Sequence, residues 1–245
     1  MAYTTINKHT DYFNTKLYTG TGSNLAVTGV GHQPDFTWVK RRDVVSGHKL
    51  TDAVRGAGYV ISTNGADGQF AQTGISSFDT DGFTAGTASA DFNTSGGTYT
   101  SWNWKAGGGS GSSNSDGSVT STVSANTTAG FSIVQWTSGG NTTVGHGLGV
   151  APSFIIVKAK SETANWIVGS SASGWGNRLR LNTTDASSSS SAFQSTSPTS
   201  SVFSENYSSG SKTKIAYCFA EKTGYSKVGS YVGNGSSTDG TFVYT

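Results

Sequence analysis

The stretch GHQPDFTWVKRR, Gly31 to Arg42, returns in a second version as GVAPSFIIVKAK, Gly149 to Lys160, with Pro34 answering to Pro152 and Lys40 to Lys158 at an offset of 118. In each version a proline and a small or acidic residue lead into aromatic and branched residues over the length of one strand. Such side chains suit a pleated, packed surface, and the proline disfavours a helical entry. The same offset carries Phe13 onto Phe131 and Tyr18 onto Trp136, so TDYFNTKLYTG and TAGFSIVQWTSGG are further copies of one another. A repeat of this size predicts two copies of one β unit.

Working outward, FNTKLYT and FSIVQWT alternate large with small or polar residues, as a strand with one buried face does. Each runs into a Gly/Ser/Asn turn, Gly20 to Asn24 and Ser138 to Asn141, and then a short strand. Glycine and asparagine tolerate the positive φ of a tight reversal. KLTDAVR, Lys49 to Arg55, reads as strand and turn. Leu179 and Leu181 alternate with Arg178 and Arg180, which predicts a strand with one wet face. The D-x-D-G of SSFDTDGFTAG, Ser76 to Gly86, predicts a hairpin in which Phe78 and Phe83 pair across the turn. TYTSWNWKAG matches KIAYCFAEK at an offset of 115, Trp102 over Tyr217 and Trp104 over Phe219. Residues two apart in a strand share a face, so each copy offers a stacked aromatic pair to its core.

These signals give an all-β chain of two tandem antiparallel β-sandwiches, jelly-roll-like, with little helix. The first copy spans residues 1–108, a Gly/Ser-rich linker 109–117, and the second copy 118–245. Residues 223–245 begin a third version of the repeat and are expected to act as closing strands. With 33% hydrophobic and 11% aromatic residues among 245, the chain has enough apolar material for a core despite 34 glycines and long Ser/Thr tracts.

Sixteen basic residues against 14 acidic ones leave a net +2 and no basic tract of the kind nucleic acid requires. The N-terminus lacks the pattern of a secretory signal, and no apolar run is long enough to span a membrane, so the expected origin is a cytoplasm. The single cysteine, Cys218, reads as a small buried filler.

Candidate sites are few. Asp79 and Asp81, with Gly82, resemble the start of a calcium loop but lack its remaining ligands; a plain turn is the alternative. Trp175 in SGWGN would present its indole to a sugar ring, with Arg178 nearby to hydrogen-bond a glycan, unless the indole plugs the sandwich edge instead. His32 and His146 precede the Pro-led strands and read as turn histidines with structural hydrogen bonds. Glu162, Glu205 and Glu221 are the only glutamates, and no pair of carboxylates sits in a pattern suited to glycoside hydrolysis. No phosphate loop, metal-spaced Cys/His set or nucleophile elbow occurs, so neither enzyme activity nor a cofactor is expected, calcium at the aspartates being the one candidate.

The blocks GVGHQPDFTWVKRRD, SSFDTDGFTAG, GGTYTSWNWKAGGGSGSSNSDGS, TVGHGLGVAPSFIIVK and IAYCFAEKTGYSKVGSYVGNGS resemble the repeat units of tail-fibre-like virion proteins of marine bacteriophages infecting cyanobacteria and related bacteria. The likeness covers nearly the whole chain. It implies sandwich units of the concanavalin A and laminin G type and a structural role in a tail fibre or another surface appendage of the virion. The implied partners are other virion proteins, further copies of this chain in a homo-oligomer such as a trimer, and a host surface glycan. Nucleic acid and membrane insertion are not among them. A lectin-like carbohydrate-binding module is the alternative reading.

Overall fold

The computed structural model describes residues 4–87, 90–207 and 210–243. Apart from one 3-10 turn at His9–Asp11, every regular element among them is a β-strand. The first half supplies β1 (Phe13–Thr19), β2 (Leu25–Thr28), β3 (Phe36–Arg41), β4 (His48–Asp52), β5 (Tyr59–Ser62), β6 (Phe70–Ala71), β7 (Ile75–Asp79), β8 (Gly82–Ala85) and β9 (Thr98–Trp104). The second supplies β10 (Ser112–Asn114), β11 (Ser121–Asn126), β12 (Phe131–Ser138), β13 (Thr142–Gly145), β14 (Phe154–Ala159), β15 (Ile167–Ser170), β16 (Asn177–Arg180), β17 (Ser188–Ser189), β18 (Val202–Glu205) and β19 (Lys212–Phe219).

The repeat survives in the topology. A six-stranded sheet runs β1-β9-β3-β4-β5-β6, and an eight-stranded one runs β10-β11-β12-β19-β14-β15-β16-β17, so the order of the first recurs inside the second. Register confirms both offsets. Trp104 stands between Phe13 and Phe36, and Phe219 between Phe131 and Phe154. A smaller sheet belongs to each half, β2-β8-β7 in the first and β13-β18 in the second. All named pairings are antiparallel, and the architecture is all-β.

Three cores separate four layers. The first is Val27, Val39, Ile75, Phe83 and Tyr99 between the six-stranded sheet and its small sheet. The second is Val134, Trp136, Val144, Phe203 and Phe193 in the corresponding place of the second half. The third joins the halves: Phe36, Leu50 and Ile61 of one large sheet meet Phe131, Ile133, Ile156, Trp166, Ile215 and Tyr217 of the other. Phe36 packs edge-on against Phe131 and Tyr217 at 5.8 and 4.8 Å, and Trp104 meets Phe219 at 6.2 Å. Edge-to-face aromatic contacts of this kind add about 0.5–1.5 kcal/mol each beyond the area they bury. The aromatic pairs expected to face each copy's own core therefore face the other copy.

Turn chemistry holds as read. Gly22 and Gly140 have φ of 76° and 97° and Asn141 has 50°, the left-handed region their turns need. Phe78 and Phe83 pair across the Asp-Gly hairpin. Several expectations change. β12 is buried on both faces, not one, because it lies between two cores. In β16 it is Leu179 that stands out, 38% exposed, while Arg178 is half-buried. The linker is not a plain tether, since Ser112–Asn114 forms a strand on β11 and Asp35 holds the segment before it. The third repeat forms no closing strands among residues 223–243; one bridge joins Lys222 to Ser226, and residues 229–243 are exposed. A strand-type sequence needs a neighbour to hydrogen-bond, and here none is beside it.

Candidate functional site

The most concentrated chemistry lies where the two large sheets meet. β4 ends in Asp52, whose side chain shares the face of Leu50, and the following turn brings Arg55 back beneath it. Arg55 Nε donates to Asp52 Oδ2 at 2.5 Å and its backbone N–H to Asp52 Oδ1 at 2.9 Å. The rest of the guanidinium reaches the carbonyls of Leu50 and Tyr59 at 3.0 and 3.3 Å. From the opposite sheet, the Tyr217 hydroxyl donates to Asp52 Oδ2 at 2.7 Å. The Asp52 and Arg55 side chains are fully buried, as is Tyr217. Burial pushes the Tyr217 phenol well above its ordinary value, so it stays protonated and remains a donor. With every charge paired and solvent excluded, the triad is a clamp between repeats.

A second tie runs along the same interface. Lys158, fully buried, donates to the carbonyls of Ala66, Ala159 and Glu162 at 3.1, 2.9 and 3.3 Å, and the first of these belongs to the other half. Its repeat mate Lys40 makes the same local bond, to the carbonyl of Arg41 at 2.7 Å. Burial lowers Lys158 to about 8. Trp166 Nε1 donates to the Ser62 carbonyl at 3.0 Å, and backbone bonds Gln69 to Lys160 and Ala164 to Ala66 complete the seam.

Two buried carboxylates serve one half or its junction. Asp35 accepts from the amides of Ala106, Gly108 and Gly109 at 2.7, 3.0 and 3.0 Å; burial raises it despite these donors. Gly108 and Gly109 sit at φ of 85° and 75°, a curl that turns successive N–H groups onto the carboxylate. Glu205 pairs with Lys214 at 2.9 and 3.0 Å, with Ser138 Oγ at 2.8 Å and Trp136 Nε1 at 3.4 Å on the same carboxylate. Both side chains of the ion pair are fully buried.

The sequence-derived candidates fall elsewhere. Asp79 Oδ2 accepts from Thr84 Oγ1 at 2.8 Å, while both oxygens of Asp81 accept backbone N–H groups, of Gly29 at 2.9 Å and Gly31 at 2.7 Å. These bonds hold Asp81 below its ordinary value and pin the loop that leads to Pro34. Among the described residues no group of three or more His, Cys, Asp or Glu side chains is placed to hold a metal ion. Trp175 is 7% exposed and packs edge-on against Phe193 at 5.4 Å, so the indole is a core plug and offers no face to a sugar. The apolar area of an indole drives it inward unless its polar edge is needed outside. Arg178 lies two residues before Arg180, which pairs with Asp185. Asp79 and Asp81 thus hold different segments, and Trp175 spends its ring on the core.

His32 Nδ1–H donates to the Thr10 carbonyl at 2.8 Å, and burial lowers its pKa. His146 accepts the Leu148 N–H on Nδ1 and donates from Nε2 to the Thr199 carbonyl, each at 3.2 Å. Both hold backbone groups in place. Cys218 is buried, and its thiol is pushed up to about 12. A surface groove of about 390 Å³ beside β10 and β11 is lined by residues such as Gly107, Ser112, Asn114 and Ser124, with no ionisable side chain among its walls.

Neither spacing nor motif points to Asp52, Arg55, Glu205 or Lys214, and Lys158 and Tyr217 stand out only as the repeat mates of Lys40 and Trp102. One signal does exist for the lysines: a charge directly bordering an apolar run, as with Lys158 after FIIV and Lys214 before IAYCF, marks an ion that must find partners if packing buries it.

Residues 8–245 match a family model described as Domain of unknown function (DUF7483). No curated protein and no solved structure matches the chain.

Proposed function

We propose that this chain, which belongs to the DUF7483 family, is a non-enzymatic structural component of a bacteriophage particle, in a tail fibre or another surface appendage. The observation that supports this most is the way the repeats are joined. Two copies of one sheet pack face to face through an aromatic core and a buried Asp52–Arg55–Tyr217 clamp, which makes a stiff block from a sequence unit that can be reiterated. Its buried charged groups hold strands together, and its exterior is Ser/Thr-rich and low in charge. The resemblance of the repeat blocks to tail-fibre-like virion proteins supplies the location. Other virion proteins and further copies of this chain are the partners this role requires.

The lectin-like alternative loses its aromatic platform with Trp175 in the core. Mass spectrometry of purified particles, with immunogold labelling of an appendage, tests the proposal: the chain is expected in particles at a fixed copy number. Its absence from particles that assemble normally would overturn the assignment.

A further inference from the structure

The six-stranded sheet ends on β1, and among the described residues no strand lies on its outer edge. Other edges of the large sheets are short, two residues in β6 and β17 and three in β10, and brevity is a common way to blunt an edge. β1 runs for seven residues. Its orientation follows from its ends. The Tyr12 carbonyl accepts from Lys105 N–H and Gly20 N–H donates to Gly97, so even-numbered residues face β9. Phe13, Thr15, Leu17 and Thr19 therefore turn their backbone groups outward. Asn14 Oδ1 takes the Thr15 N–H at 2.9 Å, and Leu17 is 64% exposed.

The second repeat shows what fits such an edge. β12, the counterpart of β1, pairs with β19 on one side and on the other with β11, antiparallel from Ser121↔Trp136 to Asn126↔Phe131. Residues 4–12, which precede β1, do not supply this strand. Ile6 is buried and the Thr10 carbonyl is taken by His32, which diverts that segment from the edge.

The chain also carries a strand-type segment with no sheet. Residues 225–232, YSKVGSYV, are the third version of the β1 and β12 sequence, yet form no strand, and Tyr231 and Val232 are 70% and 87% exposed. Tyr225 lies against Tyr12 at 6.3 Å, beside the first residue of β1. Continuing from that point along β1, the same chain's segment would lie parallel to it, whereas the strand on the corresponding edge of β12 is antiparallel. A second copy has no such restriction.

We propose that the outer edge of β1 is a docking site for residues 226–232 of a second copy of this chain, added as an antiparallel strand. Main-chain hydrogen bonds to the outward groups of Leu17 and Thr19 and to the Thr15 carbonyl, whose own N–H is taken by Asn14, supply the attraction, and the apolar residues of the incoming segment cover Leu17. The described residues of each copy offer both this edge and this segment, so exchange closes a dimer if reciprocal and extends into a chain if not. The inference does not depend on the virion assignment.

The test uses the full chain and two substitutions. Leu17→Pro removes an outward N–H while leaving the β1–β9 ladder its donors, as proline at a sheet edge does. Tyr231→Pro alters only the exposed segment. Light scattering across a concentration series is expected to show the wild-type mass rising from 25.3 kDa toward twice that value or beyond, and both variants remaining at monomer mass. Mixing the variants restores one interface, Tyr231→Pro giving the edge and Leu17→Pro the segment. A wild-type chain that stays monomeric at its solubility limit, association unaffected by either substitution, or a mixture that fails to associate would each overturn it.

Discussion

Replacing Tyr217 with phenylalanine tests the central claim that the two repeats share one core. The substitution removes a single hydroxyl, which donates to Asp52 Oδ2 at 2.7 Å across the interface between the large sheets. Asp52 keeps its two bonds from Arg55, so no carboxylate is stranded, and the ring keeps its edge contact with Phe36 at 4.8 Å. The loss is one buried hydrogen bond to an ionised group, about 2 kcal/mol within the usual 1.5–3. With a urea slope of about 3 kcal/mol/M, at the upper end of the usual range, the midpoint falls by roughly 0.7 M. Equilibrium unfolding followed by tryptophan fluorescence and by far-ultraviolet circular dichroism is the assay. Because Tyr217 belongs to one half and Asp52 to the other, one transition is expected, shifted equally for both probes. Two separable transitions, with only one of them moved, or a midpoint unchanged within about 0.2 M, would refute the shared core.

The remaining predictions concern buried charge, a turn and acid stability. Glu205→Gln leaves the Lys214 ammonium without its counter-ion in a fully buried site and should cost about 3–5 kcal/mol in urea unfolding. Much of this should return in the Glu205→Gln, Lys214→Met double variant, which no longer buries a charge; no recovery would mean that packing, not charge, sets the cost. Gly82→Ala drives a methyl into the Val27 carbonyl oxygen, at a φ of 150°, and is expected to lower stability by at least about 2 kcal/mol. An Ala variant as stable as the parent would contradict the close approach of β2 to the hairpin. Burial lowers His32 and His146 below 6.5. Between that lowered value and 6.5 the unfolded chain holds more protons, so stability rises with pH through this window and levels off above it. Each histidine contributes a slope of up to about 1.4 kcal/mol per pH unit. Asp35, raised by burial, adds the opposite slope just above 3.8. Chemical unfolding measured at a series of pH values is the check, and a slope unchanged in His146→Gln would exclude that histidine as a source.

Part of the architecture could be read from local patterns. The Pro-led strands, the Asp-Gly hairpin pairing Phe78 with Phe83, and the reversals at Gly22 and Asn141 are set by side-chain alternation and by φ preferences within a few residues. Trp104 and Phe219 occupy matching register positions, as the offset of 115 required. The candidate sites read less well. Asp81 stands out by its spacing, but its oxygens are engaged by Gly29 and Gly31, 52 and 50 residues away in sequence. Trp175 stands out by its flanking glycines, while its partner Phe193 lies beyond any local window.

Alternating strands and turn chemistry, repeated at a constant offset, were enough to specify an all-β chain built twice from one unit, because strand faces and tight reversals depend on near neighbours. Which face meets which partner was decided only in three dimensions. An apolar stripe announces that it must be covered, and nothing local says by what. Only the assembled layers turned the inner rings of one repeat onto those of the other, sealed Asp52, Arg55 and Tyr217 between them, and left the outer edge of β1 without a strand among the described residues.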